Sequence, residues 1–211
     1  MEKITAIRAG RGRGKRMNLF LDGRFALSLE ADVAVKENLR TGQELSAEEL
    51  AALTKANCFQ RCLNAAGSYL GYRPRSESEM RQRLYRRGFD EASVAAVISR
   101  LKEQGLIDDS AFAQFWKENR ESFRPRSQWL TRSELRQKGI TEDIIDGVVS
   151  GVDDNDSACR AARSKARSLS RADYQEFRRR LGGYLRRRGF TYEIINNTVE
   201  RIWQEMDSNL S

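Results

Sequence analysis

The chain contains no histidine among its 211 residues. That absence removes the Ser-His-Asp and Cys-His nucleophile arrangements and the commonest metal ligand together. Cys58 and Cys62 stand four residues apart in a helical pattern, so they share a face. Two thiolates still fall short of the four-ligand or open three-ligand set that zinc requires, and burial as structural cysteines is expected. Asp108-Asp109, Asp153-Asp154 and Asp156 fall at joints between helical segments. There aspartate caps helix starts and complements their positive ends, and capping is the role expected of them. Gly10-x-Gly12-x-Gly14 lacks the order of a phosphate-binding loop, and no helix follows to lend it an N-terminus. It reads as a loop between strands whose Arg11 and Arg13 are placed for point contacts to phosphate. No catalytic residue, metal site or cofactor is expected, and the chain does not read as an enzyme.

What the sequence offers instead is arginine. Arg73-Pro74-Arg75-Ser76 recurs as Arg124-Pro125-Arg126-Ser127, 51 residues later. Proline keeps the preceding arginine out of helix, and Ser76 or Ser127 can cap the helix that follows. Helix initiation does not account for Arg73, Arg75, Arg124 and Arg126, each beside a helix N-terminus that already attracts anions. These four are candidate grips on phosphates or acidic side chains. A second concentration comprises Arg178, Arg179, Arg180, Arg186, Arg187 and Arg188. Residues 160–190 carry eleven Arg and Lys against Asp173 and Glu176, and residues 1–16 carry six against Glu2, whereas the whole chain is only +8. Positive charge gathered at two places is the footprint of a nucleic acid or of an acidic protein groove. Trp116, Trp129 and Trp203 fit apolar helix faces and are expected in the core rather than as stacking platforms.

The elements that position these arginines repeat. Gly88 and Gly139 each follow the string's proline by fourteen residues, and Gly189 follows 50 residues further on. Leu84, Leu135 and Leu185 each stand four residues before one of these glycines. Six residues after them come Val94, Ile145 and Ile195, and ten after come Ile98, Val149 and Val199. Self-similarity at a fixed period marks an array of supersecondary units that complete one another's cores. Each unit reads as three helices, the middle one closed by a glycine that takes the left-handed conformation. The third unit lacks the string and has Tyr174-Gln175-Glu176-Phe177 in its place.

Before the array, Ile4–Ile7, Met17–Leu21 and Arg24–Leu29 are β-prone runs, the last two joined by Asp22-Gly23, a two-residue hairpin signal. A small three-stranded antiparallel sheet is expected there, then a short helix around 30–39. Ser46 with Glu49 forms a capping box that opens a helix, or two, running to about residue 70. The expected division is 1–45 for the β-hairpin extension and short helix, then three-helix repeats at 46–107, 108–153 and 154–211. The fold class is mainly α: tandem three-helix repeats in an elongated array behind a small N-terminal antiparallel sheet.

Apolar residues at 39% and charged residues at 32% suit slender helical units with small cores. No apolar run is long enough to span a membrane, and no apolar leader opens the chain. An odd count of three cysteines fits a reducing compartment. A cytoplasmic monomer without a membrane partner is expected.

The run Arg73-Pro74-Arg75-Ser76-Glu77-Ser78-Glu79-Met80-Arg81, then Leu84 to Phe89, then Leu101-Lys102-Glu103-Gln104-Gly105-Leu106-Ile107-Asp108-Asp109 resembles the RecX family of bacterial recombination regulators. Phe112-Ala113 and Glu134 to Ile140 extend the likeness, which is clear over about residues 60–150 and continues through the repeat to Trp203. The opening hairpin is similar to the N-terminal extension of longer members. The resemblance implies a modulator of the RecA recombinase in recombination, DNA repair and the SOS response. Such a protein lies in the groove of the RecA–DNA filament and damps its ATPase and strand exchange. It implies no catalytic residues. Two other readings stay open on the residues: a sequence-specific DNA-binding regulator built of helix-turn-helix-like units, and a scaffold that docks an acidic protein.

Overall fold

A two-residue turn sets the first element of the fold. Asp22 and Gly23 both sit at positive φ, 46° and 80°, the twist that lets antiparallel strands continue without splaying. The computed structural model describes residues 1–10, 16–169 and 173–208, so Arg11 and Arg13 lie outside the described residues. Strands β1 (Glu2–Ala9), β2 (Arg16–Leu21) and β3 (Arg24–Glu30) form the expected antiparallel sheet. A fourth strand, β4 (Glu44–Leu45), pairs with β1 and makes the order β3-β2-β1-β4. Two residues carry no alternation, so no sequence pattern announced it. The short helix α1 (Ala31–Lys36) follows β3.

The chain divides into two compact units, Met1–Pro74 with Met80–Ile107, and Arg75–Glu79 with Asp108–Ser211. The spine of the first is α2 (Ala47–Leu70), one unbroken helix opened by the complete Ser46/Glu49 capping box. Its first half gives Leu53 to a core with Ile4, Leu19, Leu21 and Leu45 of the sheet. Its second half gives Cys62 and Ala66 to a separate core with α3 (Glu77–Tyr85) and α4 (Glu91–Glu103). Between the two, buried Asn57 accepts a hydrogen bond from Glu30 N and donates to Ser28 O, which fixes the end of β3 on the helix. Cys62 is fully buried, and burial, with Cys58 and Asp90 nearby, pushes its thiol up to about 11. It is therefore a core thiol. Among the described residues no group of three or more His, Cys, Asp or Glu side chains could hold a metal ion.

The second unit holds α5 (Asp109–Phe123), α6 (Gln128–Gln137) and α7 (Glu142–Val149), then α8 (Asp154–Ala166), α9 (Tyr174–Arg186) and α10 (Tyr192–Ser208). Phe112, Leu135, Ile145 and Val149 make the core of the first three. In the last three, Ala158, Ala161, Ala162 and Ala166 keep α8 thin enough to close on Phe177, Leu181 and Leu185 of α9 and Val199 and Ile202 of α10. Every apolar position singled out by the period is buried: Leu84, Leu135 and Leu185 completely, and the six Val and Ile residues to within 9% of it.

The period also has a physical cause, and it lies in how each string is seated. Ser127 caps α6 by accepting from Leu130 N, while its own N–H donates 3.0 Å to Arg188 O, beside Gly189. Ser76 accepts from Glu79 N and donates 2.7 Å to Lys138 O, beside Gly139. So the serine of one string rests on the closing turn of a middle helix about 60 residues further on. The aspartate pairs complete the seat. Asp108 and Asp153 cap their own helices. Asp109 and Asp154 reach instead to Glu77 N and Gln128 N, at 2.8 and 2.6 Å, in the first turns of the string-borne helices. Burial raises the Asp154 carboxyl above its ordinary value, against the lowering pull of the Gln128 N–H. The expected capping role of these acids holds, and half of it acts across the repeat.

Gly139 and Gly189 are glycines for two reasons. Each closes its helix at positive φ, 78° and 84°. A Cβ on Gly139 would lie 2.4 Å from Ser78 Cβ, and one on Gly189 would lie 2.5 Å from Ser127 Oγ. Gly88 has the same conformation, with φ at 82°, but a Cβ there would meet no atom within 4 Å among the described residues. Gly88→Ala should therefore cost only the left-handed strain, about 1 kcal/mol. Gly139→Ala and Gly189→Ala add overpacking against the seated string and should cost roughly 2 to 4 kcal/mol. Urea unfolding of the three variants reads the difference; equal losses would contradict the seat.

Candidate functional site

The string arginines divide by what holds them. Arg126 forms an ion pair with Glu134, whose carboxylate is only 12% exposed and also accepts from Arg120 Nε and Trp116 Nε1, both at 2.8 Å. Arg120 lies over the Trp116 ring, 4.4 Å from its centroid. Desolvation first, and then the neighbouring Arg120, Arg188 and Arg124, lower the Arg126 guanidinium from its ordinary value. Arg188 donates 2.8 Å to Pro125 O and lies over Tyr184, 4.4 Å from the ring centre. Arg126 and Arg188 thus belong to the seat of the second string. Arg124, by contrast, is exposed, and its guanidinium has no hydrogen bond or ion pair to a described residue. Arg73 donates to Pro74 O and, like Arg75, is half-buried.

The repeat extends one residue further than the string. Tyr72 precedes Arg73 and Phe123 precedes Arg124, and both aromatics are largely exposed, at 84% and 77%. Trp129 is exposed as well, a correction to the expected core placement. It stands where the first repeat has Ser78, and its ring lies against the backbone of Gly189. The glycine that must remain bare under the string leaves no pocket there to bury an indole. Trp116 and Trp203 pack against their cores as expected.

In the third repeat the string is replaced by helix. α9 starts at Asp173, whose carboxylate accepts from Glu176 N, and at 13 residues it exceeds α3 and α6 by about a turn. The added turn is pinned by Tyr174 and Phe177, whose rings lie 5.3 and 5.1 Å from Trp203. Phe177, Leu181 and Leu185 take the buried face. On an adjoining face Gln175, Arg178, Arg179, Gly182, Gly183 and Arg186 line a groove of about 450 Å³ against α10. Exposed Tyr192 stands on its α10 wall. The side chains of Arg178, Arg179 and Arg186 have no ion pair or hydrogen bond to a described residue, and among the described residues no carboxylate lines the groove. Arg180 points its charge elsewhere, to Glu176 one turn back at 3.1 Å. Arg187 is exposed, and its Nη1 would lie 3.6 Å from a Cβ on Gly183.

Of the sequence candidates, three arginines of the second concentration therefore line the groove, while Arg180 and Arg188 are held elsewhere and exposed Arg187 lies beside Gly183. The groove's neutral members escaped sequence reasoning. Two adjacent glycines inside a long amphipathic helix were the available signal, because glycine costs a helix interior about 1 kcal/mol apiece relative to alanine. Three guanidiniums held without counter-charge along one helix can take up successive phosphates or a carboxylate-rich surface.

Comparison with known proteins gives a consistent picture. Family models match in four pieces: the N-terminal domain of regulatory protein RecX over residues 2–46, and the first, second and third RecX three-helix domains over 62–101, 108–149 and 153–199. The regulatory protein RecX of Clostridium botulinum (strain Eklund 17B / Type B) is 28% identical over 205 residues, covering 95% of this chain and 96% of its own. That of Bacillus subtilis (strain 168) is 28% identical over 212 residues, 99% of this chain and 80% of its own. A crystal structure of regulatory protein RecX superimposes with a TM-score of 0.66 at 26% identity, over 95% of this chain and all of the other. RecX from Lactobacillus salivarius, at 23% identity, shares the fold with a TM-score of 0.56 over 72% of this chain and 98% of its own.

The unequal setting of the string arginines has a direct consequence. Arg126→Ala strands Glu134 beside one remaining guanidinium and should cost about 2 kcal/mol, the worth of a charged, part-buried hydrogen bond. Arg124→Ala should stay within about 0.5 kcal/mol of the parent, as exposed substitutions do. Chemical denaturation of both variants checks this; a larger loss for Arg124→Ala would reverse the assignment.

Proposed function

The chain belongs to the RecX family of regulatory proteins, and on that footing we propose that it binds the RecA–DNA nucleoprotein filament and inhibits its ATPase and strand-exchange activity. The observation that carries the reading is the α9 groove, where Arg178, Arg179 and Arg186 stand without counter-charge. Free guanidiniums in a family of regulators suit a polyanionic partner better than a small molecule, since phosphate contacts supply affinity without chemistry. The aromatic–arginine pairs Tyr72-Arg73 and Phe123-Arg124, each with an exposed ring, recur in the first two repeats. A contact element repeated along a chain suits a partner that is itself a repeating polymer, because each copy can engage an equivalent site and the second engagement is intramolecular. Exposed Tyr and Phe beside Arg are also the residue types from which protein–protein anchors are built.

No helix of the described residues is long and apolar enough to cross a membrane, and the relatives bear the name of regulatory proteins. We place the protein in the cytoplasm as a monomer that meets its filament directly.

Steady-state ATP hydrolysis by RecA on single-stranded DNA, titrated with this protein, tests the proposal. Inhibition at or below one protein per recombinase subunit is expected. Arg178→Ala/Arg179→Ala/Arg186→Ala should raise the half-inhibiting concentration by roughly tenfold or more and flatten its dependence on salt, as removal of three phosphate contacts requires. Undiminished hydrolysis at a stoichiometric excess of the parent would overturn the reading.

A further inference from the structure

The groove between α9 and α10 carries more information than its charge. Gly182 and Gly183 lie mid-helix, and a Cβ on either would meet only ordinary contacts, 3.6 Å to Ile195 Cγ2 and 3.6 Å to Arg187 Nη1. Neither has a positive φ. Two glycines that folding does not demand lower the floor of the groove to bare backbone, the arrangement that admits close approach of a ligand's own backbone. Around that floor stand Arg178, Arg179 and Arg186, with no acid among the lining residues. At the rim Tyr192 leaves 75% of its surface in solvent, although it opens a helix whose other aromatic, Trp203, is packed.

We propose that this groove is a site for a single DNA strand, with the phosphodiester backbone over Gly182 and Gly183 and an unpaired base stacked on Tyr192. The proposal deepens the reading of the protein as a filament regulator by assigning the third repeat to the nucleic acid. A bare floor with guanidiniums on one wall and an aromatic ring on the other reproduces the two parts of sequence-tolerant strand binding, an electropositive track and a stacking platform. A cleft between two adjacent helices, about 450 Å³ in volume, is on the scale of one strand rather than of a whole duplex. Unstacked bases are available on a single strand and absent from a closed helix. The helical turn that replaces the Arg-Pro-Arg-Ser string adds Gln175 to the site, next to Arg178 and Arg179. Gln175, Arg178 and Arg179 all come from the first two turns of α9.

The test uses the full chain and a labelled oligodeoxythymidylate of twenty nucleotides, without recombinase, followed by fluorescence anisotropy. The parent should bind, and affinity should fall with salt at a slope of about −2, the value for three phosphates on a single strand. Tyr192→Ala should lose about fivefold or more, the loss of one stacked base. Gly183→Leu, which fills the floor without changing charge, should lose tenfold or more. Gly183→Ala is the folding control, melting at or above the parent temperature because alanine favours helix. Binding of Gly183→Leu and of Arg178→Ala/Arg179→Ala/Arg186→Ala at parental affinity would overturn the assignment. So would equal competition by a duplex of the same length, or by polyglutamate. A parent that inhibits the filament ATPase yet binds no oligonucleotide would refute this site and leave the proposed function standing. A parent that binds the oligonucleotide with these variant losses but leaves the ATPase untouched would do the reverse.

Discussion

The seat of a serine-capped helix start on a glycine-closed helix end is the contact on which the rest of the structure depends. Two such seats occur, Ser76 on Lys138-Gly139 and Ser127 on Arg188-Gly189. Each satisfies several backbone groups that a helix terminus otherwise leaves orphaned. The serine hydroxyl answers an N–H of its own helix, an aspartate from further along the chain answers another, and the distant closing turn supplies the carbonyl. Neither partner tolerates much change. A helix start needs its cap, and the closing residue must be both left-handed and without a side chain. The repeat period follows from this geometry, because a string and the glycine that receives it must be spaced alike each time.

That requirement separates the arginines that fold the protein from those that are free to bind. Arg126 and Arg188 are held at the second seat, one on Glu134 and the other on Pro125 O and Tyr184. Where the third repeat gives up the string, its middle helix begins a turn earlier and the freed face carries Arg178, Arg179 and Arg186 around a glycine floor. The same three-helix plan therefore produces a joint in one place and a groove in another. Part of the difference lies in four residues, Tyr174 to Phe177, two of which lock the extra turn onto Trp203.

Much of the fold was legible because it rests on local rules. The leucines before each glycine, the apolar pairs six and ten residues after, and the Ser46/Glu49 box all express helical spacing or capping, which neighbours in sequence decide. The Asp22-Gly23 turn is equally local. What escaped reading depends on residues far apart. Ser76 and Lys138 are 62 positions from each other, and nothing in either segment names the other. For the same reason the four string arginines formed one class in the sequence and two in the structure. Trp129 followed an apolar pattern yet stands exposed, because its position faces the bare glycine of a distant turn rather than a core. The groove was half legible. Its arginines stood out, while Gly182, Gly183 and Tyr192 acquire meaning only once α10 is laid beside α9.

Hydrogen–deuterium exchange of this protein alone and bound to a RecA–single-stranded DNA filament would test the central claim most directly. Protection on binding should concentrate in residues 174–199, the two helices that line the groove, and should weaken in Arg178→Ala/Arg179→Ala/Arg186→Ala at the same occupancy. Protection confined to the N-terminal sheet, with α9 and α10 exchanging as in the free protein, would contradict it.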